Sequence, residues 1–434
     1  MTPNFLNDVS APASYNKVSS FVELWKLKAH IAKGSPFDAF DDLEFLTYDI
    51  MMAAAFGIHD NDSETVRHLK HLQAADLSGT SVPSVNQVFP FPSFPNPPLL
   101  QALHITTKAV ATSFHKPWPR LFHLFNNMRP AMRQQYKTKE TIIQSYIDES
   151  TRRFMEKGQD FTPFSAVDRM VHREAVTAQK EGRRPVFDSL LFNDSLFGYL
   201  IGGQDSTHST LSFMVKHLAA NQAAQSKLRS ALYLSHRTVR GEGRRPTIQE
   251  INKAQIPYLD AFIEETLRSS APASAIEKQT LEDITLLGHV IPKGTSIVCL
   301  LSGPTLSEAG FQVPAHLRSE SSKAQVTDRL DDWAASEYAP AEFRPERWLY
   351  TDDSGEVAFS NTAGPFLAFS AGPRGCWGKR LAYLELRLMV TLLVWELDFG
   401  QLPPELENWE EEEGLFSKPK SCLVRIKSTA AAKG

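Results

Sequence analysis

Cysteine is scarce in this chain of 434 residues: only Cys299, Cys376 and Cys422 occur, and no two form a Cys-x-x-Cys pair. This excludes a secreted disulfide framework and a zinc or dithiol motif, and makes a reducing compartment the default. An excess of one charge is also missing, since 46 basic residues face 50 acidic ones for a net charge of -4. No global basic field draws nucleic acid or anionic lipid, so no nucleic-acid partner is expected and any partner is recognised locally. Long hydrophobic runs are absent as well. The nearest, Met51 to Ile58 and Leu388 to Trp395, have the length of buried helices, and neither approaches the ~18 residues of a membrane span. The first residues, MTPNFLNDVSAP, carry no charged region followed by an apolar stretch, so no signal peptide is visible. The remaining composition, 42% apolar and 22% charged, is that of a well-packed globular protein with a sizeable core.

Strand signals are few and late. Ile284 to Leu287, Ser296 to Leu301 and Cys422 to Ile426 are short, apolar and bounded by Gly, Pro or Lys. From Phe21 to Met155 the pattern is helical, as in the spacing of Phe21, Leu24, Leu27 and Ile31. Five prolines break it at Phe89 to Pro98, read as a packed loop, and His115-Lys-Pro-Trp-Pro119 breaks it again. That apolar hinge is a plain connector, a substrate entrance or a membrane contact. A further helix starts at about Asn193, and Arg237 to Arg245 reads as a solvated basic linker or a docking site for an acidic protein. Thr247 and Glu250 then form a capping box that opens another helix. His68 and His71 have no third ligand at metal spacing and are expected to face solvent. Glu410 to Glu413 is expected to be a loop. No repeat or composition shift marks a boundary, so residues 1–434 read as one mainly α unit with a small β portion (α+β).

The stretch Phe369 to Glu385 carries the most chemistry. Gly372, Pro373 and Gly378 make an irregular loop, after which Leu381, Leu384, Leu388 and Leu392 set a helical period. Cys376 therefore sits before a helix N-terminus, where unpaired N–H groups and the helix dipole favour a thiolate, the state that a single-cysteine iron ligand requires. Within the helix Tyr258 to Ser269, the three-residue spacing of Glu265 and Arg268 puts both side chains on one face. Gly202-Gly203-Gln-Asp205-Ser206-Thr207 interrupts an apolar helix, residues 196–219, although adjacent glycines cost roughly 1 kcal/mol each there. On these residues alone, a kink at a packing contact is the competing explanation.

The pattern Phe-x-x-Gly-x-Arg-x-Cys-x-Gly-x-x-x-Ala, matched by Phe369, Gly372, Arg374, Cys376, Gly378 and Ala382, resembles the haem-binding signature of the cytochrome P450 family. The resemblance implies a haem-binding loop at Phe369 to Ala382, in which Cys376 is the axial ligand of haem b (iron protoporphyrin IX), Phe369 packs by the sulfur and Arg374 holds a propionate. It implies that Gly202 and Gly203 let the helix pass close to the haem and form an oxygen-binding groove. Asp205, Ser206 and Thr207 would deliver protons there. Ser206 stands where the family usually has threonine; its hydroxyl can still bond back to the Gly202 carbonyl. Arg347, in Phe343-Arg-Pro-Glu-Arg-Trp348, is placed against Glu265 and Arg268 as a structural trio. Lys278 lies near a position where relatives carry a haem-contacting arginine.

By this resemblance the chain is a haem-thiolate monooxygenase of fungal microsomal type that inserts one atom of O2 into a small apolar organic substrate. Electrons come from NADPH through NADPH-cytochrome P450 reductase, and fungal secondary metabolism is the implied setting. The expected fold is that of the family without its N-terminal anchor, first sheet strands and early helices. The endoplasmic reticulum membrane surface is the implied location, or the cytoplasm if the chain starts at Met1. Two alternatives stand beside this: a truncated, non-catalytic relic or binding protein with impaired haem binding, and a haem-thiolate isomerase or dehydratase.

Overall fold

The computed structural model describes residues 2–75, 86–114, 116–303, 307–308, 313–320, 323, 339–364 and 366–429. A helical turn, α1 (Pro3–Phe5), leads through a π-turn into α2 (Ala11–Ala32), which stops where Lys33 adopts a left-handed φ of 49°. After β1 (Phe37–Asp38), α3 (Phe40–Phe56) ends at Gly57, where a Cβ would lie 2.3 Å from the Phe164 ring, so glycine is required there. α4 (Glu64–Ala74) is capped by the Ser63 hydroxyl. α5 (Pro98–Phe114), α6 (Pro119–Met128) and α7 (Pro130–Lys157) each open on a proline, whose missing N–H costs nothing at that position.

α8 (Ala166–Lys180), the long α9 (Leu190–Ala220) and α10 (Gln222–Ser235) follow. Then come α11 (Arg237–Gly241), α12 (Ile248–Lys253) and α13 (Pro257–Ser269). The later half adds β2 (Ala275–Gln279), β3 (Ile284–Leu286), β4 (His289–Ile291), β5 (Ser296–Leu300), β6 (Leu349–Thr351) and β7 (Val357–Phe359). It closes with α14 (Lys379–Glu396), β8 (Leu397–Gly400), β9 (Glu411–Glu412), β10 (Lys418–Pro419) and β11 (Leu423–Ser428). β11 is the centre of an antiparallel sheet ordered β1-β11-β8, with Phe37 opposite Val424 and Ile426 opposite Phe399. The other strands pair as two-stranded antiparallel ribbons, β2 with β5, β3 with β4, β6 with β7 and β9 with β10. The chain is thus mainly α with a small β portion.

Among the described residues two apolar clusters divide the interior, and α9 runs through both. Its Phe192, Leu196 and Leu200 belong to a cluster with α3, α5, α7 and α8. Leu211, Met214, Val215 and Leu218 belong to the larger cluster with α2, α10, α13, α14 and the three-stranded sheet. The polar stretch from Gly202 to Thr210 lies between them, which is why so apolar a helix carries it.

Several expectations change. His68 is buried, stacked on Phe94 with ring centroids 3.8 Å apart and edge-on to Phe45, while its neighbour His71 is exposed. Arg237 to Arg245 is no plain loop, because it contains α11 and its last two arginines are paired. Arg244 holds Glu242 and Glu250, and Arg245 holds Glu23 and Glu396. Glu411 and Glu412, expected in a loop, form β9 by pairing with Lys418 and Pro419. Of the hinge at 115–119, His115 lies outside the described residues; Trp118 is exposed and leads into α6.

Candidate functional site

The loop before α14 is closed by its own backbone. The Cys376 N–H donates to the Phe369 carbonyl at 2.8 Å, and the Gly375 N–H donates to that of Gly372 at 3.0 Å. The turn requires left-handed φ at Ser370 (56°) and Gly372 (74°), which is strain for the serine and none for the glycine. Gly378 is the N-cap of α14, so the Cys376 thiol stands just before the helix. It is exposed, and a Cβ at Gly378 would touch its sulfur at 3.7 Å, an ordinary van der Waals contact. Phe369 packs by Tyr383, ring centroids 5.2 Å apart, and the Tyr383 hydroxyl donates to Glu264 at 2.5 Å. Burial pushes the Glu264 carboxyl up to about 7, against the pull of that bond and of Lys379. Arg374 and Trp377 are exposed beside the cysteine.

Behind this loop the structure brings Glu265, Arg268 and Arg347 together. Arg268 donates to both carboxylate oxygens of Glu265 at 2.8 Å, and Arg347 Nε donates to Oε1 at 3.1 Å. Two further donors were not legible as such in the sequence: the Trp348 indole reaches Oε2 at 2.9 Å and the Arg344 N–H reaches Oε1 at 2.8 Å. Trp348 stands next to Arg347, and an indole N–H that is buried needs an acceptor. The network clamps the segment 342–348 onto α13, because Arg347 and Arg268 also hold the Glu342 carbonyl at 2.8 and 3.3 Å.

On α9, the Ser206 hydroxyl donates back to the Gly202 carbonyl at 2.7 Å. The two glycines face different surroundings. A Cβ on Gly202 would meet nothing within 4 Å, whereas one on Gly203 would sit 2.3 Å from the Met51 sulfur on α3. Gly203 is therefore committed to helix packing, the competing explanation for the pair, and Gly202 alone borders open space. Thr207 is buried, and Asp205, also buried, is ion-paired with Lys418 on β10. Nothing in the sequence joins residues 205 and 418. Lys278 lies exposed on β2.

The donor set fits a porphyrin-bound iron better than a bare ion. Among the described residues no group of three His, Cys, Asp or Glu side chains is arranged to hold a metal ion. A haem brings its own equatorial nitrogens and asks the protein for one soft axial ligand, which an exposed thiol at a helix start can supply. The open face at Gly202 and the exposed Arg374 are compatible with a flat, anionic macrocycle.

Comparison with known proteins agrees with this chemistry. The family model described as Cytochrome P450 matches residues 2–319 and 338–425. Cytochrome P450 monooxygenase TRI13 of Fusarium sporotrichioides is 32% identical to the chain, over 98% of this chain and 75% of that protein. Cytochrome P450 monooxygenase xilC of Penicillium rubens is 33% identical over 99% and 73% respectively. The Hps1-dma1 cluster cytochrome P450 monooxygenase cyp3.1 of Dothistroma septosporum is 35% identical over 68% of this chain and 98% of its own. Among solved structures, the cytochrome P450DA heme domain superposes with a TM-score of 0.65 at 16% identity, covering 99% of this chain and 76% of that one.

Proposed function

The chain belongs to the cytochrome P450 family, a family of haem-thiolate monooxygenases, and from that premise we propose that Cys376 is the axial thiolate of haem b. The observation that carries the reading is the exposed Cys376 thiol, held at the start of α14 by the Phe369 carbonyl. Helix-end N–H groups favour its thiolate form. Phe369 shields the sulfur, Gly372 permits the turn, and Arg374 pairs with a propionate, as a guanidinium suits a carboxylate. Bound haem supplies the cleavage of dioxygen and the insertion of one oxygen atom into the substrate.

The remaining chemistry falls to side chains of α9. Gly202 borders the oxygen groove; Gly203 keeps α9 against Met51 and acts on the groove only through that packing. The Ser206 hydroxyl, parked on the Gly202 carbonyl, is free to rotate and donate a proton, and Asp205 and Thr207 replenish it. Glu265, Arg268 and Arg347 are structural and hold the cysteine loop's approach to α13. The chain acts as one catalytic unit, since these elements must close around a single cofactor.

Electrons come from NADPH by way of a flavoprotein reductase, and the substrate is a small apolar organic molecule. Similarity to fungal monooxygenases, one of them named for a cluster, supports a role in secondary metabolism. Among the described residues no helix is long and apolar enough to cross a membrane. α6 nevertheless supports contact with the endoplasmic reticulum surface: Trp118, Leu124, Phe125 and Met128 are exposed, with Trp118 at 71%, and Lys116, Arg120 and Arg129 flank them. Sedimentation with anionic vesicles should fall on Phe125→Glu, and unchanged sedimentation would remove α6 from the account. The enzyme reading itself is tested by haem content. The purified chain should carry stoichiometric haem and consume NADPH when reductase is added; a haem-free chain that folds would leave only the relic reading.

A further inference from the structure

The polar stretch of α9 meets a charge cluster that the reading above does not use. Lys418 Nζ on β10 forms an ion pair with Asp205 Oδ1 and lies 3.8 Å from Glu44 Oε1 on α3. Glu44 in turn holds His104 Nε2 on α5 at 2.8 Å and lies 3.6 Å from His208 Nδ1. The side chains of Asp205, Lys418 and Glu44 are 11%, 18% and 6% exposed, so two carboxylates share one ammonium in nearly dry surroundings. Burial opposes ionisation of Glu44, yet the His104 hydrogen bond and the neighbouring charges bring its pKa down to about 2. Burial takes His208 to about 3, so at neutral pH it is uncharged, and Lys418 supplies positive charge beside Glu44.

The hairpin that carries Lys418 is fastened to the helix that carries Asp205. The Ser209 hydroxyl donates to the Ser417 carbonyl, and Lys216 Nζ donates to the carbonyls of Asn408 and Ser421 at 2.5 and 3.2 Å. The lysine is thus held within reach of the acid by bonds to α9 itself. Its contact with Asp205 is an ion pair without hydrogen-bond alignment. A buried carboxylate with no counter-charge is costly, and among the described residues Lys418 is the cation paired with Asp205.

We infer that Lys418 is a positioning residue for Asp205: its ammonium, shared with Glu44, holds the carboxylate beside Ser206, the hydroxyl it serves. This rests on the reading of Asp205 as part of the proton-delivering set. Nitrogen-15 labelling of lysine gives a readout independent of turnover, since a buried ammonium ion-paired to a carboxylate exchanges slowly enough to be seen by NMR. The Lys418 signal, assigned by its loss in Lys418→Arg, should shift or vanish in Asp205→Asn and persist in Glu44→Gln. Product formed per NADPH should fall several-fold in Lys418→Met and in Asp205→Asn, recover in Lys418→Arg, and fall no further in the double variant Lys418→Met/Asp205→Asn. Additive losses, or an ammonium signal indifferent to Asp205→Asn, would overturn the inference and leave Lys418 as a hairpin anchor. A chain that holds no haem gives a third pattern, with no turnover in any variant while the ammonium signal still follows Asp205, and that pattern overturns the enzyme reading instead.

Discussion

Replacing Glu265 by glutamine removes one charge and keeps the shape. In the native chain the carboxylate accepts from Arg268, Arg347, the Trp348 indole and the Arg344 N–H. Glutamine keeps a single carbonyl oxygen, and its amide group turns two hydrogens towards donors that cannot accept them. Arg268 and Arg347, whose side chains are buried, lose the negative charge of Glu265. Breaking a buried ion pair from one side costs about 3–5 kcal/mol. At least one donor left facing another adds roughly 1 kcal/mol, so the loss is about 4–6 kcal/mol in all. Native stabilities of about 5–15 kcal/mol leave little after that. Urea denaturation followed by circular dichroism should therefore show Glu265→Gln unfolding at a far lower midpoint, and haem uptake should fall with it because the segment 342–348 is released from α13. A loss below about 1 kcal/mol, the value of an exposed ion pair, would refute the buried-hub reasoning.

Product per NADPH should drop in Ser206→Ala and rise in Ser206→Thr, whose branched side chain holds its rotamer better; equal coupling in all three proteins would remove Ser206 from proton delivery. Gly202→Ala should stabilise the fold by about 0.5–1 kcal/mol, since it gains helix propensity and meets nothing, and should hinder oxygen chemistry at the groove. Gly203→Ala gains the same propensity but must displace Met51, for a net loss of about 1 kcal/mol; equal thermal shifts for the two variants would contradict the assignment of their faces. Glu385, fully buried, has its pKa pushed by burial from 4.5 up to about 8. A carboxyl raised in the folded state contributes stability that is present in full below its ordinary value of 4.5. That stability is lost at up to about 1.4 kcal/mol per pH unit as pH rises towards 8, and the loss levels off above it. The advantage of Glu385→Gln over the parent should grow across that window, and a difference independent of pH would show that Glu385 is charged or solvated.

What could be read in the sequence was chemistry carried by close spacing. Cys376 with its glycines, and Glu265 with Arg268, declare themselves because the residue types and the three-residue helical offset are fixed by what they must hold. The burial of His68 could not be read, because Phe45 and Phe94, which enclose it, come from other parts of the chain. The glycine pair looked like one feature because sequence carries no direction around a helix; only the position of Met51 separates Gly203 from Gly202. β9 was missed since two glutamates have no strand propensity, and their pairing with Lys418 and Pro419 decides the matter. The link from Lys418 to Asp205 had no local signal at all.

Thiolate ligation of haem iron by Cys376 is the claim on which the rest depends, and the reduced carbon monoxide difference spectrum of the purified chain tests it most directly. The account predicts a Soret band at the position typical of a thiolate ligand, absent in Cys376→Ala and moved to the position typical of a nitrogen ligand in Cys376→His. A nitrogen-type band in the parent chain, or a thiolate-type band that survives Cys376→Ala, would contradict it.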